Sequence, residues 1–150
     1  MKVFISQPMR GRTIEQIQER RDQICEMLVE VFNQDIEFID SINKDPELQK
    51  KGSIAMLGHS VSLIADADLV VVDDVEYGYA GVEIESNVAF NYGIPKISMY
   101  DLITMYAGIK GMRGEEYYDF DKKVKNYYCH GVLLVGDDIG IVAEAKPKDR

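Results

Sequence analysis

A continuous apolar run followed by a glycine-containing turn constrains the fold of this chain more than any other feature. The run Leu69-Val70-Val71-Val72 predicts a strand that is buried on both faces, as the strands of parallel sheets are. Residues 77–89 contain Gly78 and Gly81 and continue into a helical pattern that ends near Gly93. Because a glycine turn between a strand and a helix lets a ligand approach the backbone, this segment predicts a ligand site.

Glu85 is the candidate nucleophile in this segment. The pattern places it in the first turn of the predicted helix, where the helix dipole keeps a carboxylate ionised. An ionised carboxylate at the carboxyl edge of a parallel sheet lies where open α/β folds bind ligands. The same position also suits a glutamate that only stabilises the helix, so both roles remain open.

The rest of the first hundred residues alternates between strand and helix patterns. Further strands are predicted at residues 2–6, 36–40 and 96–100, and helices after a capping box at Thr13 and Gln16 and after an N-cap at Ser53. Residues 41–52 are predicted to be a polar loop. This order predicts a Rossmann-like or flavodoxin-like α/β fold, with a parallel sheet of four to five strands flanked by helices.

The alternation of strand and helix patterns stops after Tyr100. Residues 1–100 are therefore predicted to be the core and residues 101–150 a C-terminal extension. Apolar runs on both sides of Gly136-Asp137-Asp138 predict a β-hairpin. The extension is also rich in aromatic residues, a composition typical of interfaces, which predicts a homo-oligomer contact. These residues are Tyr106, Tyr117, Tyr118, Phe120, Tyr127 and Tyr128. Alternatively, the extension covers the edge of its own sheet.

Composition excludes several classes of protein. The net charge of −9, from 17 basic and 26 acidic residues, disfavours nonspecific nucleic-acid binding. No apolar run approaches the roughly 18 residues of a membrane span, so a cytoplasmic location is expected. Two cysteines and two histidines fit no metal-site spacing, and no Gly-x-Gly-x-x-Gly follows a predicted strand. We therefore expect no metal and no cofactor.

Candidate substrate-binding residues follow the first two predicted strands and the glycine turn. They are Ser6, Gln7, Met9, Arg10, Gly11, Asp40 and Gly81. Arg10 precedes a helix N-terminus, which suits a phosphate, although a solvated loop charge fits the same position. Asp40 is placed to meet a base or sugar, although a turn residue that ends a strand is the more common role at such a position. Gly81 leaves room for a ligand against the backbone.

Three motifs in order carry a family resemblance. They are Phe4-Ile5-Ser6-Gln7-Pro8-Met9-Arg10-Gly11, Ala67-Asp68-Leu69-Val70-Val71-Val72, and Gly81-Val82-Glu83-Ile84-Glu85-Ser86-Asn87-Val88-Ala89 with Gly93-Ile94-Pro95. The last contains a glycine, a glutamate and an alanine at intervals of four residues. Over about residues 1–98 the chain resembles the nucleoside 2-deoxyribosyltransferase-like superfamily.

The resemblance implies an activity. The family contains transferases that exchange bases between deoxynucleosides and hydrolases that cleave deoxynucleoside 5′-monophosphates, often with a neighbouring subunit completing the site. It implies that Glu85 attacks the anomeric carbon, that Asp68 assists proton transfer to the base, and that Arg10 binds a 5′-phosphate. Topology by itself argues against this role for Asp68. A residue that opens a strand lies at the edge of the sheet opposite to the ligand site.

Two departures from the family pattern support a rival interpretation. The characterised enzymes carry a tyrosine at the position of Phe4 and a small residue at that of Glu83.

The leading hypothesis is N-glycosidic bond cleavage or transfer on nucleosides or nucleoside 5′-monophosphates. The alternative is a non-catalytic nucleotide-metabolite binding protein that uses the same pocket as a sensor or sink. A third hypothesis is a flavodoxin-like interaction domain without a ligand.

Overall fold

The computed structural model of the protein describes residues 1–76 and 78–126. Its elements, in chain order, are β1 (Lys2–Ser6), α1 (Ile14–Phe32), β2 (Glu37–Phe38), α2 (Pro46–Lys51), α3 (Ser53–Ile64), β3 (Leu69–Val72), α4 (Ala80–Asn91), β4 (Lys96–Ser98), α5 (Met99–Lys110) and α6 (Glu115–Lys125). The predicted α/β class is confirmed. In the described residues, no helix has the length and apolar character needed to cross a membrane.

The sheet has four parallel strands in the order β2-β1-β3-β4. The chain moves from β1 to β2 on one side and then returns to add β3 on the other side. The strand order therefore reverses between β1 and β3, and in open α/β sheets ligands bind at such a switch point. Ser6 pairs with Val72, and Val72 with Ser98, so three strands end at one level.

Side-chain alternation along the strands divides the core into two layers. Val3 and Ile5 of β1 pack with Ile24 of α1 and Leu102 of α5 on one face of the sheet. On the other face, Phe4 packs with β3, with Ile64 of α3 and with residues of α4. Helices therefore cover both faces, as the sequence pattern predicts.

Capping chemistry explains where the helices begin. The predicted capping box is confirmed, since the Thr13 side chain accepts a hydrogen bond from Gln16 N and the Gln16 side chain accepts one from Thr13 N. The prediction that residues 41–52 form only a loop is wrong. Asp45 caps α2 and Pro46 opens it, a combination that favours a helix start. Ser53 is the first residue of α3 rather than its N-cap.

The predicted boundary near residue 100 does not separate the core from an extension. β4 ends at Ser98, whose side chain caps α5. Leu102 and Ile103 of α5 and Val124 of α6 are fully buried in the core layer that contains α1. Both helices therefore complete the domain. The predicted β-hairpin lies outside the described residues.

Candidate functional site

A layer of buried polar side chains lies where β1 and β3 end. Its members are Ser6, Gln7, Arg20, Arg21, Ser41, Asp73 and Glu85. Strand alternation sorts them, because Ser6 follows Phe4 by two residues and faces α3 and α4, whereas Gln7 continues the Val3 and Ile5 side towards α1. The layer therefore joins both faces of the sheet at the switch point.

The Ser6 hydroxyl donates a hydrogen bond of 2.8 Å to Glu85 Oε1, and both residues are fully buried. The prediction that Glu85 lies in the first turn of its helix is wrong. α4 begins at Ala80, which places Glu83 in the first turn and Glu85 in the second. The Ser6 hydroxyl is therefore a partner of the Glu85 carboxylate, which lies beyond the first turn of the helix.

A buried ion pair fixes the end of β3 to α1. Arg20 Nε lies 2.9 Å from Asp73 Oδ2 and Arg20 Nη2 lies 3.0 Å from Asp73 Oδ1. Arg20 Nη1 also donates to the Val124 carbonyl at 2.8 Å, so α6 shares the contact. A two-point pair of this kind has a fixed geometry, and it makes Asp73 a structural residue.

A second buried arginine fixes the ends of β1 and β2. Arg21 Nε donates to Gln7 Oε1 at 2.8 Å and Arg21 Nη2 donates to Ser41 Oγ at 2.6 Å. Asp40 Oδ1 lies 3.4 Å from Arg21 Nη1 and accepts a hydrogen bond from Ile42 N. The predicted ligand residue Gln7 is fully buried and positions Arg21, whereas the Asp40 side chain is exposed.

A third contact joins the β1–α1 loop to the β3–α4 loop. Arg12 Nη2 lies 2.9 Å from Glu76 Oε1 and 3.3 Å from the Tyr79 hydroxyl, which donates to Glu76 Oε2 at 3.1 Å. Burial, followed by the negative charge of Glu76, raises the pKa of Tyr79 above its ordinary value. The two loops that flank the switch point are therefore tied together, with a neutral tyrosine between them.

A cavity of about 370 Å³, named here the β1–β2 cavity, opens at the carboxyl ends of these two strands. Its lining includes Met9, Arg10, Ile17, Ser41, Met56 and Ser60. Cavities of this size are typical of small-molecule sites. Of the predicted substrate-binding residues, Met9 and Arg10 are brought to this cavity.

A second cavity, of about 420 Å³, lies between the end of β3 and α4 and is named here the β3–α4 cavity. It is acidic, with Asp74, Glu76 and Glu83 in its lining. Burial is the main cause that raises the pKa of Asp74. Glu83 thus faces this second cavity, whereas Glu85 of the same helix is buried against Ser6.

The structure does not bring Asp68 to the Glu85 site. Asp68 Oδ2 accepts a hydrogen bond of 2.8 Å from Lys2 N, at the beginning of β1, whereas Glu85 contacts Ser6 at its end. The expectation that Asp68 assists proton transfer beside Glu85 is therefore wrong. The topological reason is that both Lys2 and Asp68 lie at the amino edge of a parallel sheet.

The two glycines predicted to line the site have separate positions. Gly11 is exposed in the β1–α1 loop with a φ of 77°, a conformation that glycine adopts without strain. Gly81 is buried in the first turn of α4. Neither glycine is among the residues that line the β1–β2 cavity in the described part of the chain.

Sequence analysis missed both buried arginines of α1. A signal for them exists, because Arg20 and Arg21 fall between Ile17 and Ile24 on the helix stripe that packs against the sheet. Charged residues on such a stripe need buried partners. The partners, Asp73 and Gln7, directly follow the two central strands.

In the described parts of the chain, no group of three or more histidine, cysteine, aspartate or glutamate side chains is arranged to hold a metal ion. No protein-family model, no curated protein and no solved structure matches the chain significantly. A functional assignment consequently depends on the geometry of the site.

Proposed function

We propose that this protein cleaves or transfers the N-glycosidic bond of a nucleoside or nucleoside 5′-monophosphate, with Glu85 as the nucleophile. The observation that carries the proposal is the buried Ser6–Glu85 contact at the switch point of a parallel sheet. The β1–β2 cavity opens at the same edge of the sheet and gives the substrate a place beside this contact, although neither Ser6 nor Glu85 is in the lining described for it.

The reaction has two steps. One Glu85 carboxylate oxygen forms a bond to the anomeric carbon while the bond from that carbon to the base nitrogen breaks. The nitrogen keeps the bonding electrons and takes a proton from water. Water then attacks the same carbon, loses a proton and releases Glu85, whereas a second base in place of water gives transfer.

The charges of the two cavities favour a substrate with a phosphate in the β1–β2 cavity. Among the described residues, the lining of this cavity contains one cation, Arg10, and no carboxylate. In the described part of the chain, the β3–α4 cavity has Asp74, Glu76 and Glu83 in its lining and no basic residue, so it repels an anion. A single arginine suits a 5′-monophosphate.

A second candidate function is nucleotide binding without turnover. Glu85 is fully buried, so substrate reaches its carboxylate only if neighbouring groups move. Asp68, the acid that the resemblance supplied, lies at the opposite edge of the sheet. Both observations favour a protein that holds a nucleotide in the β1–β2 cavity and leaves its glycosidic bond intact.

One experiment separates the two functions. The protein is incubated with the common nucleosides, deoxynucleosides and their 5′-monophosphates, and free base is measured by liquid chromatography. Glu85→Gln serves as the matched control, because the amide keeps the size of the side chain and removes the nucleophile. Base release by the wild-type protein but not by Glu85→Gln supports catalysis. Binding in calorimetry without base release supports the second function.

We also propose a homo-oligomer. Tyr118 on α6 is 75% exposed, which leaves it accessible to a partner. Tyr106 and Phe120 instead stack on each other, with ring centroids 5.2 Å apart, and therefore belong to this chain's own packing. Light scattering of the wild-type protein and of Tyr118→Ser tests the proposal, since a monomeric wild-type protein excludes it.

A further inference from the structure

We infer that the β1–β2 cavity holds a flat heteroaromatic ring between two apolar walls, and that the hydroxyls of Ser41 and Ser60 form hydrogen bonds to the edge of that ring. The inference rests on the proposed function for the identity of the ring as a nucleobase. It adds the two residues that determine which rings the cavity accepts.

The walls come from opposite sides of the sheet. Ile14 and Ile17 line the cavity from α1, and Met56 and Leu57 line it from α3. α1 belongs to one core layer and α3 to the other, so the first turns of these helices face each other across the cavity. Apolar side chains on two sides suit the faces of an aromatic ring and leave polar recognition to its edge.

The contact of Ser41 with Arg21 leaves its hydroxyl hydrogen available to a ligand. Ser41 is buried, with a relative exposure of 4%, and Ser41 Oγ accepts a hydrogen bond of 2.6 Å from Arg21 Nη2. Because the guanidinium group supplies the hydrogen in that contact, the hydroxyl hydrogen of Ser41 points elsewhere. Ser41 lines the cavity, so a ligand with an acceptor on its edge satisfies this hydrogen.

Ser60 supplies an independent observation. It lies on α3 with a relative exposure of 5% and lines the same cavity. Its hydroxyl makes no hydrogen bond to any group in residues 1–76 and 78–126. This hydroxyl opens into the β1–β2 cavity, where it is accessible to a ligand and can donate or accept a hydrogen bond.

The two hydroxyls define the chemistry of the ring. Ser41 requires an acceptor, such as a carbonyl oxygen or a ring nitrogen, whereas Ser60 either donates or accepts. Nucleobases carry such groups beside each other on one edge. An aromatic ring of the same shape without an acceptor fits the walls but leaves the Ser41 hydrogen unsatisfied.

Ser60→Ala and Ser41→Ala test the inference, with Ser62→Ala as the matched control, since Ser62 is an exposed serine on the same helix as Ser60 and is not in the cavity lining. Affinities for deoxynucleoside 5′-monophosphates, free nucleobases and indole are measured by calorimetry. Loss of one neutral hydrogen bond predicts an affinity about 2- to 10-fold weaker for the nucleotides and bases. Indole has no edge acceptor, so its affinity changes less than about twofold, and Ser62→Ala behaves as the wild-type protein.

The outcomes separate this inference from the proposed function. If nucleotides bind and no base is released, the proposed catalytic function is wrong, and the inference about Ser41 and Ser60 still holds. If base is released and neither Ser41→Ala nor Ser60→Ala changes the KM, the inference about the two serines is wrong, and the proposed catalytic function still holds. Equal losses for indole and nucleobases also contradict the inference about the two serines. Ser41→Ala removes a partner of Arg21, so if that variant does not fold, Ser60→Ala decides.

Discussion

The Ser6 hydroxyl donates to the Glu85 carboxylate at 2.8 Å, although the two residues are 79 positions apart in the chain. The contact forms because β1 directs Ser6 to the face that α4 covers, at the level where β1 and β3 end together. The donated hydrogen fixes the position of Oε1 in a carboxyl group that is fully buried. Ser6 thus positions Glu85, which lies in the second turn of α4 and not at the helix terminus.

Glu85→Gln is expected to abolish base release while the protein stays folded. Glutamine keeps an oxygen that accepts from Ser6, so the packing around residue 85 persists, but the amide does not form a glycosyl intermediate. Turnover is measured by chromatography and folding by circular dichroism. Full turnover in a folded Glu85→Gln protein would falsify the covalent mechanism.

Arg10→Ala is expected to weaken nucleoside 5′-monophosphate binding by about one to two decades and to leave nucleoside binding nearly unchanged. A charge-assisted hydrogen bond to phosphate contributes roughly 1.5–3 kcal/mol. Arg113→Ala, which removes an exposed arginine between α5 and α6, is the control for the loss of one positive charge. Equal losses for nucleoside and nucleotide in calorimetry contradict a phosphate role for Arg10.

The order of strands and helices was predictable because each local signal agrees with the fold. The apolar run at β3 and the capping box at Thr13 fix their elements without help from distant residues. The position of Asp68 was not predictable in this way. The family resemblance placed Asp68 beside Glu85, whereas Asp68 accepts a hydrogen bond from Lys2 N, as the parallel pairing of β1 and β3 allows.

The buried polar layer was the least predictable feature. Arg20 and Arg21 are adjacent in sequence, yet one binds Asp73 and the other binds Gln7 and Ser41. Periodicity identifies the helix face on which they lie, but the partner of each depends on which strands are neighbours in the sheet. Strand order is a tertiary property, and no local pattern in the sequence specifies it.

Asp73→Ala is expected to lower the free energy of unfolding by about 3–5 kcal/mol, because it leaves the guanidinium group of Arg20 buried without its carboxylate. Glu47→Ala is the matched control. It breaks the Lys50–Glu47 pair, whose side chains are more than three-quarters exposed, and is expected to cost less than about 1 kcal/mol. Urea denaturation measures both values. Similar losses for the two variants contradict a structural role for the buried pair.

A chain that ends at Tyr100 is expected not to fold. It lacks most of α5 and all of α6, and so removes Leu102, Ile103 and Val124 from the core layer beside α1. A chain that ends at Asn126 keeps every described element and is expected to retain a cooperative thermal transition. Circular dichroism at increasing temperature distinguishes the two. A cooperative transition in the shorter chain shows that the core is complete without α5.

Asp74→Asn is expected to stabilise the protein at neutral pH by an amount that disappears in acid. Burial is the largest cause that raises the folded-state pKa of Asp74, with smaller contributions from the charges of Asp73 and Asp101. A folded state that binds the proton more tightly is most stable, relative to the unfolded chain, below the ordinary pKa of 3.8. That stability is lost as the pH rises through the folded-state pKa.

Asparagine imitates the protonated carboxyl group at every pH and keeps the oxygen that accepts from Met99 N at 3.2 Å. The variant therefore exceeds the wild-type protein in free energy of unfolding at pH 7, and the difference narrows as the pH falls below the folded-state pKa of Asp74. Urea denaturation at a series of pH values measures the difference. Asp119→Asn, on the exposed face of α6, controls for the removal of one negative charge. A stability difference for Asp74→Asn that stays constant with pH shows that the carboxyl group does not titrate differently in the folded and unfolded chains.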